Sequence, residues 1–137
     1  MALSPKEIID KMMAADKMSQ WLGIEILDPV PGATSIRMTV RAEMVNGFDV
    51  AHGGITYCLA DSALAFSANS HGIRSMSIET SISHLKMVSV GDVLTVKTKE
   101  LSLSRKIGVY EMNVFNQNND LVAHFKGTVY RSGIEWE

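Results

Sequence analysis

Residues 46–69 read NGFDVAHGGITYCLADSALAFSAN, and this stretch decides the fold. From Gly53 to Asn69 it is apolar on nearly every side, through Ile55, Tyr57, Cys58, Leu59, Ala60, Ala63, Leu64, Ala65, Phe66 and Ala68. A helix of that kind belongs inside a protein rather than on its surface. Its many small side chains allow strands to approach the helix axis closely. Two features do not fit an ordinary core element. His52-Gly53-Gly54 stands at the helix entrance, and a single acid, Asp61, stands in the middle.

The chain on either side carries the period of strands. Ile36, Met38, Val40, Ala42 and Met44 alternate with Ser35, Arg37, Thr39, Arg41 and Glu43, after a turn at Pro31-Gly32. Beyond the helix, Met76, Ile78, Thr80 and Ile82 alternate with Ser75, Ser77, Glu79 and Ser81, which predicts one apolar and one polar face. Gly91-Asp92 and Asn118-Asn119-Asp120 then punctuate VLTVKTKELSLS, GVYEMNVFNQ and LVAHFKGTVYRS, three strands of an antiparallel meander. At the start, Ser4-Pro5-Lys6-Glu7 has a hydroxyl cap, proline at the first helical position and glutamate three residues after the cap. It predicts a short helix over about residues 5–17. The class is α+β, with a curved antiparallel sheet wrapped around the long central helix.

At 137 residues the chain is expected to form one domain spanning 1–137. A net charge of −2 without a basic stripe gives no reason to expect a nucleic-acid partner. The single cysteine, Cys58, excludes an intrachain disulfide, and MALSPKEIIDKMM has neither a basic leader nor a long apolar run. The cytoplasm is the expected compartment. Asp61 and Ser62 interrupt the longest apolar segment, so no membrane span is expected.

The chemistry is concentrated at the helix. A helix start carries unpaired N–H groups and a positive dipole end. A thioester or ester carbonyl resting on Gly53 or Gly54 would have its developing oxyanion stabilised there, by about 3–4 kcal/mol per donor. The plainer reading is that the glycines make a tight turn into the helix. Asp61 needs a reason of its own, because a carboxylate in apolar surroundings loses hydration unless it is paired, neutral or faces a polar cavity. It either makes a structural hydrogen bond to Ser62, Thr56 or a strand backbone, or it acts as general base or nucleophile. Eight residues separate it from Gly53, about 12 Å along a helix. A base must come within about 3 Å of the water it activates, so one reaction using both requires two chains.

Asn46, then His52-Gly53-Gly54, then Leu59-Ala60-Asp61, then Ser77 and SISHLKMVSVGD together resemble the hotdog-fold acyl-CoA thioesterases, in their phenylacetate-degradation (PaaI-like) branch. The resemblance covers about Val45 to Arg131, and N-x5-HGG-x6-D is far more specific than the two glycines alone. It implies a helix wrapped by a sheet, a homodimer with a continuous sheet and shared active sites, and a homotetramer as a dimer of dimers. It also implies roles. Gly53 would donate its N–H to the thioester carbonyl, and His52 would shape the helix entrance. Asp61 of the facing subunit would act as general base or, through a mixed anhydride, as nucleophile. Asn46 would orient water or thioester, and Ser77 would contact the water or the acid. One departure is visible: where the family commonly has a run like FLRP, this chain has His84-Leu85-Lys86-Met87.

The remaining candidates are weaker. The histidines His52, His71, His84 and His124 show no zinc-ligand spacing, so neither metal nor cofactor is expected, coenzyme A being part of the substrate. His84 is in register with the apolar face of its strand, as an interior histidine or a pocket wall. Cys58 is expected to be a buried, inert thiol. Arg105-Lys106, at a turn between strands, offers phosphate contacts for coenzyme A, although exposed basic pairs at hairpin ends are common. The expected activity is hydrolysis of a small, medium or aryl acyl-CoA. A non-catalytic acyl-CoA binder or sensor is the alternative. A dehydratase is weaker, since it expects a differently arranged Asp and His.

Overall fold

The computed structural model describes residues 2–137. Helix α1 (Pro5–Ala15) opens with the expected capping box: Ser4 Oγ accepts from the Glu7 N–H at 3.1 Å, and Glu7 Oε1 accepts from the Ser4 N–H at 3.2 Å. It buries Ile8 and Ile9. The helix does not run on to residue 17. Asp16 restarts it as α2 (Lys17–Leu22), its carboxylate accepting from the Ser19 N–H at 2.9 Å and from Ser19 Oγ at 2.6 Å.

Strands β1 (Glu25–Asp28) and β2 (Ser35–Thr39) precede α3 (Gly53–Asn69), whose bounds are those the apolar composition predicts. The alternation after residue 35 ends earlier than it reads: Val40 stays buried, but Ala42–Met44 forms a single 3₁₀ turn. Strands β3 (Ile73–His84), β4 (Val93–Leu103), β5 (Ile107–Phe115) and β6 (Leu121–Glu135) follow. The six strands form one antiparallel sheet in the order β1-β2-β4-β5-β6-β3, with β4-β5-β6 as the expected meander. This is the hotdog arrangement.

The core lies between α3 and the concave side of the sheet. Leu59, Ala63, Leu64 and Phe66 meet Met38, Leu94, Val96, Tyr110, Met112 and Phe125, all buried. Contact is close enough that a Cβ on Gly127 would stand 2.5 Å from Leu64 Cδ2, so any larger residue there would force Leu64 to move. At the far end of α3, His71 Nε2 lies 2.6 Å from Glu100 Oε1, and the Tyr110 hydroxyl donates to the same oxygen at 2.8 Å. Burial and that carboxylate push the Tyr110 phenol far above its ordinary range.

Two departures from the sequence expectation matter for function. First, β3 does not keep one alternation. Its register with β6 slips between Ser77 and Glu79, so Ser75 and Ser77 pair with Arg131 and Val129, while Thr80, Ile82 and His84 pair with Gly127, Phe125 and Ala123. Paired residues share a face. The bulge therefore turns Ser75, Ser77, Thr80, Ile82 and His84 toward α3, and leaves Met76 and Ile78 77% and 61% exposed. Second, α3 is not covered all round. Gly54, Cys58, Asp61 and Ala65, spaced as one helical stripe, remain half-exposed, beside the free edge of β3.

Candidate active site

The entrance of α3 is held from three sides. The Ala51 N–H donates to the Val88 carbonyl at 2.8 Å, and the His52 N–H to the Met44 carbonyl at 2.8 Å. His52 caps the helix, its Nδ1 accepting from the Gly54 N–H at 2.8 Å. This separates the two glycines. Gly54, expected to bind substrate, has its N–H occupied by the cap. The Gly53 N–H has no acceptor among the described residues. Gly53 opens onto a cleft of about 330 Å³, lined with Val50, Thr56 and residues 84–88. Asn46 shapes the loop before it: its Oδ1 accepts from the Phe48 N–H at 2.9 Å, and its N–H donates to the Val50 carbonyl at 2.8 Å. The side-chain oxygen is thus engaged in closing the loop, and only the amide nitrogen is left to orient a substrate or water.

Asp61 has no hydrogen-bond partner among the described residues, since Ser62 is turned to Ser19 at 2.8 Å and the Tyr57 hydroxyl bonds Thr80. The purely structural explanation of the acid therefore has no bond to rest on. Burial, and secondarily the charge of Asp16, raise its pKa above the ordinary carboxylate range. It faces a cleft of about 240 Å³ together with Ser75, Ser77, Leu64 and Val129. The β3 bulge is what brings Ser77 to Asp61. This cleft shares Ala65, Ser75 and Met76 with a larger apolar groove of about 460 Å³ that ends at Met12, Ile134 and Trp136.

Gly53 and Asp61 line separate clefts in one chain, as their spacing requires. Arg105 and Lys106 are exposed in the β4–β5 turn, where the Lys106 carbonyl accepts from the Arg131 N–H at 2.7 Å. His84, opposite Gly53, pairs with Ala123, eight residues back along β6 from Arg131. At about 3.3 Å per residue, the basic pair lies about 26 Å from its own helix entrance. It is nearer the Asp61 end of the sheet. Cys58 is half-exposed rather than buried, and its thiol is pushed up by burial first and Asp61 second, which keeps it unreactive. Among the described residues, no group of three or more His, Cys, Asp or Glu side chains could hold a metal ion.

The sequence pattern of the thioesterase superfamily matches residues 48–123, the span that holds the helix entrance, Asp61 and Ser77. The chain belongs to the thioesterase superfamily. It is an enzyme of the thioester-hydrolase class. The acyl-coenzyme A thioesterase PaaI of Escherichia coli is 34% identical over 89% of this chain and 87% of its own length. The structure of the E. coli PaaI protein from the phenylacetic acid degradation operon superposes with a TM-score of 0.93 at 32% identity, covering 96% of this chain and 95% of that one. A Streptococcus pneumoniae thioesterase protein solved with coenzyme A superposes with a TM-score of 0.79 at 26% identity, covering 82% of this chain and 91% of that one. A thioesterase needs a donor for the carbonyl oxygen and a group that activates water. A free N–H at Gly53 and an unpartnered acid at Asp61 are groups of those two kinds. Among the described residues, no helix is long and apolar enough to cross a membrane.

Proposed function

We propose that this thioesterase hydrolyses acyl-CoA esters at a site shared by two subunits. The observation that carries the reading is the pairing of an unoccupied Gly53 N–H with an unpartnered, pKa-raised Asp61 that no single chain can bring together. The open stripe of α3 and the free β3 edge, with Met76 and Ile78 exposed, support a two-fold dimer with a continuous sheet. In that dimer the helix entrance of one copy faces the acid of the other. Two such dimers would form the homotetramer.

The carbonyl oxygen accepts from the Gly53 N–H, and Asp61 of the facing copy takes a proton from water as its oxygen adds to the carbonyl carbon. Collapse of the tetrahedral adduct breaks the C–S bond, releasing coenzyme A thiolate and the free acid. No cofactor takes part. Ser77 steadies the acid or its water, and the Asn46 amide nitrogen contributes at the helix entrance. The alternative route, with Asp61 forming a mixed anhydride, uses the same groups. The apolar groove beyond Asp61 supports an aryl or medium-length acyl group, such as phenylacetyl. The coenzyme A of the S. pneumoniae structure and the name of the E. coli relative support acyl-CoA as the substrate class. The Arg105-Lys106 turn sits on the subunit that supplies Asp61, where it would meet the coenzyme A phosphates. The cytoplasm is the setting expected for such a substrate.

The test is thiol release from short, medium and aromatic acyl-CoA esters, with Asp61→Asn beside the wild type. Turnover lost in the variant supports the reading. Tight acyl-CoA binding without turnover in the wild type replaces it with a binding protein.

A further inference from the structure

Among the described residues the helix entrance leaves one backbone donor free, Gly53, because the Gly54 N–H is taken by His52. An oxyanion on the attacked carbonyl accepts more than one hydrogen bond, and each missing donor is costly in rate. A further donor must come from a side chain: the Asn46 amide nitrogen, left free by its loop bonds, is one, and the histidines are the others to weigh. The partners of the other three histidines are evident: His52 bonds Gly54, His71 bonds Glu100, and His124 stands 3.4 Å from Glu111. His84 alone has no hydrogen-bond partner among the described residues.

Its placement is well defined. The register of β3 with β6 pairs His84 with Ala123 on the side facing α3. The two amides that follow it, of Leu85 and Lys86, both donate to the Val122 carbonyl, at 2.8 and 3.2 Å, which pins the end of the strand. A Cβ built on Gly53 would stand 3.2 Å from His84 Nε2, 3.5 Å from Cε1 and 3.9 Å from Cδ2. The polar tip of the ring, rather than its base, is therefore turned to Gly53. A backbone nitrogen lies about 2.5 Å from its own Cβ position, so adding the 3.2 Å gap puts the Gly53 nitrogen and His84 Nε2 at most about 5.7 Å apart. One oxygen at about 2.9 Å from each of two donors spans up to about 5.8 Å. Both residues line the same cleft.

We infer that His84 is a catalytic residue, its Nε2–H donating to the thioester carbonyl oxygen alongside the Gly53 N–H. The inference rests on the thioesterase reading above. The imidazole lends a hydrogen bond and no proton leaves it, so the proton balance remains with Asp61 and water. Lys86, in the same cleft and 3.6 Å from Asp120, and His52 are the nearby groups of positive or titratable character in the same chain.

The test is steady-state kinetics of His84→Phe and His84→Gln against wild type and Asp61→Asn, on the best acyl-CoA ester of the panel. His84 is exposed at the end of its strand, so both variants should fold, with wild-type melting temperatures. The expected result for His84→Phe, which keeps a flat ring but loses the donor, is kcat and kcat/KM reduced together by about 10²-fold, with KM unchanged. His84→Gln, which restores an N–H, should recover to within about tenfold of wild type. A wild-type kcat in His84→Phe beside an inactive Asp61→Asn overturns the inference and leaves the thioesterase reading intact. Equal losses in the Phe and Gln variants overturn the donor role in favour of packing. A wild type without turnover overturns both.

Discussion

Replacing Gly53 with proline removes one N–H group from the helix entrance and almost nothing else. Gly53 is the first residue of α3, the one helical position where proline is favoured, because the N–H lost there has no intrahelical acceptor. Its φ is not in the positive range, and the preceding His52 has φ −59° and ψ 138°, in the extended region that a following proline demands. The fold should gain slightly, by about 0.4–1 kcal/mol, through the stiffer unfolded chain. The chemistry should lose a donor that acts only on the developing oxyanion, about 2.7–4 kcal/mol or 10²–10³-fold in kcat. The added ring also crowds His84, since any Cβ at this position meets Nε2 at 3.2 Å. Gly53→Ala supplies the control, because it crowds the same imidazole and retains the N–H. The quantity to measure is the ratio of kcat between the alanine and proline variants, with urea denaturation run on both. A ratio of about 10²–10³ with undiminished stability is expected. A ratio near unity would refute the assignment of Gly53 as oxyanion donor.

Asp61→Asn should lower turnover by about 10²–10⁴-fold. Its stability should show a pH-dependent advantage: the folded-state pKa of Asp61 is raised, so the wild type loses stability as pH rises from the unfolded carboxylate pKa through the folded one, and the variant does not. Thermal melts of both proteins from about pH 3 to about pH 7 check the sign, a constant difference being the contrary result. Tyr110→Phe deletes the 2.8 Å bond to Glu100 and should cost about 1.5–3 kcal/mol in urea unfolding. Ile78→Asp, on the exposed edge strand, should leave the subunit folded by circular dichroism but monomeric by light scattering. Its hydrolysis should fall about as far as in Asp61→Asn, by about 10²-fold or more. An active monomer would exclude the shared site.

The long helix was legible to the residue because no charged position interrupts its pattern except Asp61, and because glycines and Asn69 bracket it. The meander was legible from its turns, Gly91-Asp92 and Asn118 to Asp120, where Gly91 and Asn119 take φ values of 90° and 62°. What could not be read was phase. A β-bulge shifts which residues face inward without changing composition, so the period alone put Ser77 on the polar face, and only the resemblance gave it a place beside Asp61, whose cleft it lines. The open stripe of α3 was hidden for a related reason. Gly54, Cys58 and Ala65 are as small and apolar as core residues, so a face kept free looks like a face that is covered. Asp61 was the one visible signal of it. The restart at Asp16 was missed because a cap inside a helical pattern reads as one more polar residue. The role of His84 depended on its distance from a residue 31 positions earlier, which only the fold supplies.

The features that look unfavourable in one chain lie close together. Asp61 is an acid without a partner, Met76 and Ile78 expose apolar surface on an unpaired strand edge, and the α3 stripe leaves part of the best core helix in water. Each alone would be a defect to be removed by substitution, such as asparagine at 61 or a lysine on the β3 edge. All lie on one side of the molecule, and a second copy meeting that side would relieve the edge and the stripe together. The acid is the exception. Pairing would exclude more water from it, a cost to its ionised form, and would set against that cost the positive end of the facing α3 and the Lys86 of that cleft. A structural interface would dispense with such a group. Its retention at the centre of the surface best suited to association is consistent with the strain being kept for the reaction, since a carboxylate with a raised pKa is a stronger base toward water than an ordinary one.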